Sequence, residues 1–242
     1  MWRTASVKTA RRLGIVIAVF SVSTFAPVTG HAQTSEGVVP ITAEPNHRIR
    51  FDNGNVRIYE VLLPKGKATM WHEHRADSFS VVFKTSEAIE EPKDGKPGSY
   101  ITPAGYVGFA ADSKKPYVHR VIAKSDTPFH VVDIELLSGA PAGPENASRR
   151  PNPPFKVKLE NARGRAYRFV LNPGESTEPF TRPANSGMFA ISAGRISEHV
   201  EGKTARLWDF DPANFRWFDS TERLSVKNEG MTPIDLVEIE IY

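Results

Sequence analysis

The sequence predicts an all-β chain built as two sandwich-like repeats, and three observations carry that prediction. The apolar positions fall in short alternating or β-branched runs, at 56–63, 78–83, 129–137, 166–171, 188–192 and 234–242. Turn chemistry punctuates them: Pro64-Lys65-Gly66, Asp94-Gly95, Asn172-Pro173-Gly174 and Asn228-Glu229-Gly230. Short strands bounded by such clusters, with no helical period sustained over three turns, argue for a sandwich or barrel. The third observation is an internal echo. Val61-Leu62-Leu63-Pro64-Lys65-Gly66 recurs as Phe169-Val170-Leu171-Asn172-Pro173-Gly174, 108 residues on. Thr127-Pro128-Phe129-His130-Val131-Val132-Asp133 recurs as Thr232-Pro233-Ile234-Asp235-Leu236-Val237-Glu238, 105 residues on.

These marks divide the 242 residues into a leader at 1–32, a first repeat at 33–137, a Pro-rich linker at 138–154 and a second repeat at 155–242. Arg3, Lys8, Arg11 and Arg12 precede an apolar run at 13–25, and Gly30-His31-Ala32 follows it. That order of basic, apolar and small residues is the pattern of a secretory leader cut after Ala32, with a periplasmic or secreted product. The apolar run is short of the ~20 residues that span a bilayer, so removal is expected and stable membrane insertion is not. The Arg11-Arg12-Leu13 sequence also fits twin-arginine export.

Charge and cysteine content exclude several classes of function. The chain carries 31 Lys and Arg against 28 Asp and Glu; the leader holds four of the bases and no acid, leaving 27 against 28. A near-neutral product has no basic footprint for nucleic acid. There is no cysteine, which rules out disulfides, thiol catalysis, iron-sulfur clusters and zinc ribbons. No Gly-x-Ser-x-Gly elbow is present to suggest a serine hydrolase. Any metal must be held by His, Asp, Glu or water.

The first repeat supplies such a set. In Met70-Trp71-His72-Glu73-His74, an extended backbone turns His72 and His74 to one face and Trp71 and Glu73 to the other. His119, in Tyr117-Val118-His119-Arg120, precedes the Thr-Pro turn by eight residues, where an antiparallel neighbour brings it beside the pair. His47, in a polar segment, His130, alternating with core residues, and His199, after a glutamate, carry no such pattern.

Gly66, then His72-x-His74, then His119 before a Thr-Pro turn and a last hydrophobic strand, resembles the two signature motifs of the cupin superfamily, and the duplication resembles a bicupin. The resemblance runs over 55–242 and implies double-stranded β-helix (jelly-roll) cupin barrels in two repeats. It implies one divalent transition metal on His72, His74 and His119: iron(II) first, with manganese, nickel, copper or zinc as alternatives. Active cupins usually add a glutamate four or five residues past the second histidine, where this chain has Ser78 and Phe79. Either Asp77 reaches the metal through a bulge, or the site has three histidines. The implied activity is a mononuclear dioxygenase or isomerase acting on a small molecule, with Asp77 as fourth ligand or base and Arg75, Tyr117 or Arg120 holding an anionic group. The alternative is a non-catalytic binding protein. In the second repeat the histidines fall opposite Phe180, Arg182 and Leu224, so no metal is expected there, and Arg182, Trp208 and Trp217 either reline a pocket or serve as surface and core. Cupins often pair through edge strands, so a homodimer is also implied.

Overall fold

The computed structural model describes residues 37–138 and 149–242. The expected leader lies outside the described residues, as does most of the expected linker. The first ten strands are β1 (Val38–Pro40), β2 (His47–Asp52), β3 (Val56–Leu63), β4 (Trp71–His74), β5 (Asp77–Val82), β6 (Ser86–Pro92), β7 (Gly98–Thr102), β8 (Val107–Ala111), β9 (Tyr117–Ala123) and β10 (Phe129–Leu136). The remainder are β11 (Lys156–Asn161), β12 (Gly164–Leu171), β13 (Phe180–Arg182), β14 (Ser186–Ala190), β15 (Gly194–Val200), β16 (Arg206–Phe210), β17 (Phe215–Phe218), β18 (Glu222–Asn228) and β19 (Ile234–Ile241). One 3-10 turn, Ile41–Ala43, is the only helical element among the described residues, and no helix there is long and apolar enough to cross a membrane.

The strands form four sheets, in the orders β1-β4-β9-β6-β7, β2-β3-β10-β5-β8, β11-β12-β19-β14-β17 and β13-β18-β15-β16. All pairings are antiparallel except β1 on β4, and each pair lies within 38–136 or within 156–241. Non-consecutive neighbours of this kind are the jelly-roll arrangement of two facing sheets. The duplication is visible in register: Val131 pairs with Val61 and Asp133 with Tyr59 in the first sandwich, as Leu236 pairs with Phe169 and Glu238 with Tyr167 in the second. Both copies turn on a glycine in the left-handed region, Gly66 and Gly174, each at φ 76°, a conformation that a β-carbon disfavours.

Period-two alternation decides what each sheet face meets. On β3, β5 and β10 one face carries Ile58, Phe79, Val81, Val132 and Ile134, which share a core with Ala166, Phe189, Val237 and Ile239 of β12, β14 and β19. The two sandwiches therefore pack back to back through these sheets. Each fully buried aliphatic or aromatic side chain there contributes roughly 1.5–3 kcal/mol relative to exposure. The opposite face of β3 and β10, with Tyr59, Val61, Leu63, Phe129 and Val131, looks into the first sandwich. A third cluster, including Tyr167, Phe169, Phe180, Met188 and Leu236, fills the second.

Candidate metal centre

The side chains of strand β4 alternate between two environments. His72 and His74 are buried, while Trp71 and Glu73 face outward. Trp71 is covered by the Arg120 guanidinium, 5.1 Å from its ring centroid. Antiparallel pairing of β4 with β9 sets His119 directly across from His72 and Tyr117 across from His74. The ring centroids of His72 and His119 lie 4.6 Å apart, and those of His74 and His119 4.8 Å apart. His47, at the start of β2, completes the group, with its ring 4.4 Å from that of His72 and 5.1 Å from that of Tyr59. His47, His72 and His74 offer nitrogens all within 4.8 Å of one another.

What makes four neighbouring imidazoles a ligand set is how their outer nitrogens are held. His72 Nδ1 donates to the Met70 carbonyl at 2.8 Å, His119 Nδ1 to Glu90 Oε1 at 2.9 Å and His47 Nδ1 to Glu44 Oε2 at 2.6 Å. Carbonyl and carboxylate oxygens only accept, so each of these Nδ1 atoms carries a proton, and in the neutral ring each Nε2 keeps a lone pair. His74 Nδ1 faces the Tyr59 hydroxyl at 3.5 Å, and its Nε2 lies 2.9 Å from His119 Nε2. That spacing suits two nitrogens sharing one ion at bond lengths of about 2.0–2.1 Å. Outer hydrogen bonds of this type orient histidine ligands and raise their basicity.

Electrostatics keep His72 and His74 in the ligating, neutral form. Burial, and then the neighbouring His47 and His119, bring His72 down to about 3. Burial, then His119 and His72, hold His74 well below its ordinary range. Burial raises Glu44, but the hydrogen bonds from His47, the Met70 N–H and Asn46 outweigh it and bring the carboxyl to about 2. The His119 hydrogen bond lowers Glu90 despite its burial. Both carboxylates therefore stay charged and hold the histidine protons outward. The donor set, all imidazole nitrogen with fixed tautomers, fits a divalent transition metal ion.

The histidines form one wall of a cavity of about 530 Å³ between the two sheets of the first sandwich. Tyr117 lines it and donates from its hydroxyl to Glu90 Oε1 at 2.6 Å. Asp77, Arg75 and Arg120 do not line it. Asp77 lies on the β5 face opposite Ser78 and Ser80, where its carboxylate accepts from the Ser113 N–H at 3.1 Å and pairs with Arg163 Nε at 3.3 Å. The structure does not bring Asp77, expected as ligand or base, to the histidines: no bulge turns it inward. Arg75 pairs with Glu73 at 2.8 Å and Arg120 with Glu91, both on the outer surface. The alternation that turns Tyr117 and His119 inward turns Arg120 outward. Ser78 lines the cavity where the resemblance would put a glutamate, while Phe79 is in the core.

Among solved structures the chain is similar to AerE from Microcystis aeruginosa, at 12% identity over 79% of this chain and 90% of that one, with a TM-score of 0.55. It is also similar to the 7S globulin of Momordica charantia, at 12% identity over 78% and 75%, TM-score 0.52. A third is a serine-to-alanine mutant of the Bacillus subtilis oxalate decarboxylase OxdC, at 12% identity over 88% and 79%, TM-score 0.51. The fold is that of the cupin superfamily. Neither a family model nor a curated protein matches the sequence. At this identity the likenesses carry the fold and leave activity to the site itself.

In the second cupin sandwich the equivalent interior is closed. Phe180 pairs with Leu224 where His72 pairs with His119. Arg182, in the place of His74, is 1% exposed and is neither a surface base nor a pocket lining. Its Nε meets Glu238 Oε1 at 2.9 Å, its Nη1 meets Glu198 Oε1 at 2.6 Å, and its guanidinium lies 3.9 Å from the centroid of Phe218. Arg150 enters the same interior, with Nη2 at 2.6 Å from Glu238 and 2.7 Å from Glu240, over the rings of Phe155, Tyr167 and Phe180. Trp208 Nε1 donates to Glu198 at 2.9 Å, and Trp217 packs on Phe51.

Proposed function

We propose that the first sandwich holds a single divalent transition metal ion, iron(II) foremost, and acts on a small molecule in the adjoining cavity as a dioxygenase or isomerase. The observation that carries this is the set of inward Nε2 atoms on His72, His74 and His119, joined by His47, with their outer nitrogens held by Met70, Tyr59, Glu90 and Glu44. A metal ion there would polarise a bound oxygen atom or hold dioxygen beside the substrate. The chain itself fixes the tautomers, keeps two carboxylates charged behind His47 and His119, and walls the cavity with Val61, Val82, Phe129 and Val131. Tyr117, its hydroxyl donating to Glu90, is placed to orient a ligand beside His119.

A second reading, a non-catalytic binding protein, draws on His47: a fourth imidazole leaves an ion fewer open positions for substrate than three would. Export through the leader at 1–32 belongs to both readings and is supported by its four bases, apolar run and Gly30-His31-Ala32. Homodimerisation rests on the superfamily resemblance alone.

Elemental analysis tests the reading. The purified protein is expected to carry close to one equivalent of metal, and a His72→Ala, His74→Ala, His119→Ala variant none. Metal-free protein that also refuses added iron, manganese, nickel, copper and zinc would remove the metal site. Azide or nitric oxide binding to the iron-loaded protein separates the two readings, since an exchangeable position is needed for catalysis and a closed site shows none.

A further inference from the structure

The cavity of the first sandwich has a charge pattern that the metal site does not explain. No lysine or arginine lines it, while three carboxylates do: Glu90, Asp112 and Asp133. Glu90 is occupied by His119 and Tyr117. Asp112 and Asp133 make no hydrogen bond or ion pair among the described residues. No base in the lining offsets Asp112 and Asp133.

Asp133 projects from β10, on the sheet opposite the β4 and β9 histidines, with Tyr59 and Ser80 in register on either side. The second sandwich shows how this fold treats a carboxylate at that position. Glu238, the counterpart of Asp133 in the repeat and likewise in register with a tyrosine, Tyr167, meets two guanidinium groups, Arg182 at 2.9 Å and Arg150 at 2.6 Å. Arg150 also lies over three aromatic rings at 4.6–5.1 Å, an aromatic-and-carboxylate enclosure for a cation. In the first sandwich the carboxylate persists and the cation does not; about 530 Å³ of open cavity, with Tyr100, Tyr106, Phe109 and Phe129 in its walls, stands beside it.

We propose that the cavity takes a small organic cation, an amine or amidine on an apolar or aromatic body, whose charge is received by Asp133 and Asp112. This rests on the small-molecule reading above and replaces the anionic substrate that Arg75 and Arg120 would have held. An uncompensated carboxylate in a largely apolar enclosure rejects anions by repulsion and gains most from a charged partner that displaces no protein contact. Burial, then the charges of Glu135 and Asp112, raise the Asp133 carboxyl to about 7, the direction expected of a carboxylate that lacks its cation.

The test is calorimetric titration of the full protein, with its metal content measured, using matched probes: phenethylamine, benzamidine and butylamine against phenylpropionate and butyrate. The amines and the amidine are expected to bind at least about ten-fold more tightly than the carboxylates. Asp133→Asn is expected to remove most of that preference while metal content and thermal melting stay unchanged; Asp112→Asn, if Asp133→Asn does not fold, is expected to reduce it. Carboxylates binding as tightly as the amines, or no cation binding at millimolar concentration, would overturn the proposal. Metal-free protein that still prefers cations would leave it standing and remove the metal reading. Metal-loaded protein that prefers carboxylates would do the reverse.

Discussion

Two copies of one sandwich, back to back, have solved the problem of a polar interior in opposite ways. At equivalent positions His47, His72, His74 and His119 in the first stand against Phe155, Phe180, Arg182 and Leu224 in the second. The second interior meets its charges from within: Arg150 and Arg182, with Arg165 and Arg206 at its edge, pair with Glu198, Glu238 and Glu240, packed by Phe155, Phe180 and Phe218. The first keeps neutral imidazoles, carboxylates without guanidinium partners and an open cavity. A buried ionic group is tolerated when its charge is met from within. Where it is not met, the missing charge is what the proposed ligand would supply, in the copy that is electrostatically incomplete.

Breaking the closed copy should give the largest effect. Arg182→Ala removes the guanidinium between Glu238 and Glu198 and leaves both carboxylates buried. The expected loss is about 3–5 kcal/mol in denaturant unfolding, with metal content per folded chain unchanged. A loss under about 1 kcal/mol would show that the network does not stabilise the second interior.

Acid should open the same network from another direction. Burial raises Glu238, but the charges of Arg150 and Arg182 prevail and hold it near 2, against an ordinary 4.5. Its stabilisation is therefore complete above about pH 4.5 and is lost as pH falls toward 2, because the unfolded chain takes up the proton first. Glu240, raised by burial and then by Glu238 despite Arg150, works in the opposite sense and blunts the slope. Melting temperature followed from pH 5 to pH 2 should fall more steeply for the parent than for Glu238→Gln. Equal slopes would contradict the assignment.

In the open copy the groups behind the histidines are the sensitive point. Glu44→Gln keeps the shape but weakens the hold on the His47 Nδ1 proton, and metal retention against a chelator is expected to fall roughly 10–100-fold. A change under three-fold would mean that His47 stands beside the ion without helping to hold it, which is the arrangement with more room for catalysis.

The parts of this architecture legible in the sequence share a physical cause. The six apolar runs correspond to β3, β5, β10, β12, β14 and β19, the central strands of the two sheets that pack on each other, which bury both faces and so read as continuous hydrophobic segments. Strands such as β7, β9 and β16 have one polar face or an exposed edge, and their pattern is diluted. His72, His74 and His119 were legible because alternation and a single antiparallel pairing suffice to join them. His47 was not, since β2 reads as His-Arg-Ile-Arg-Phe-Asp and only its pairing with β3 brings it beside Tyr59. The 108-residue offset does carry a signal for it, placing His47 opposite Phe155 at the heart of the second core.

Asp77 shows where alternation stops being informative, and it provides the smallest expected effect. Arg75 and Ala76 carry the chain from β4 to β5, and these strands belong to different sheets, so the parity of His74 says nothing about which way Asp77 faces. It faces Ser113 and Arg163. Asp77→Ala should therefore cost about 1 kcal/mol of stability through these lost contacts, with metal content and cation affinity both at parent levels. Loss of metal in step with the substitution would instead place Asp77 at the ion, as the superfamily resemblance implied, and would return the first sandwich to a mixed histidine and carboxylate site.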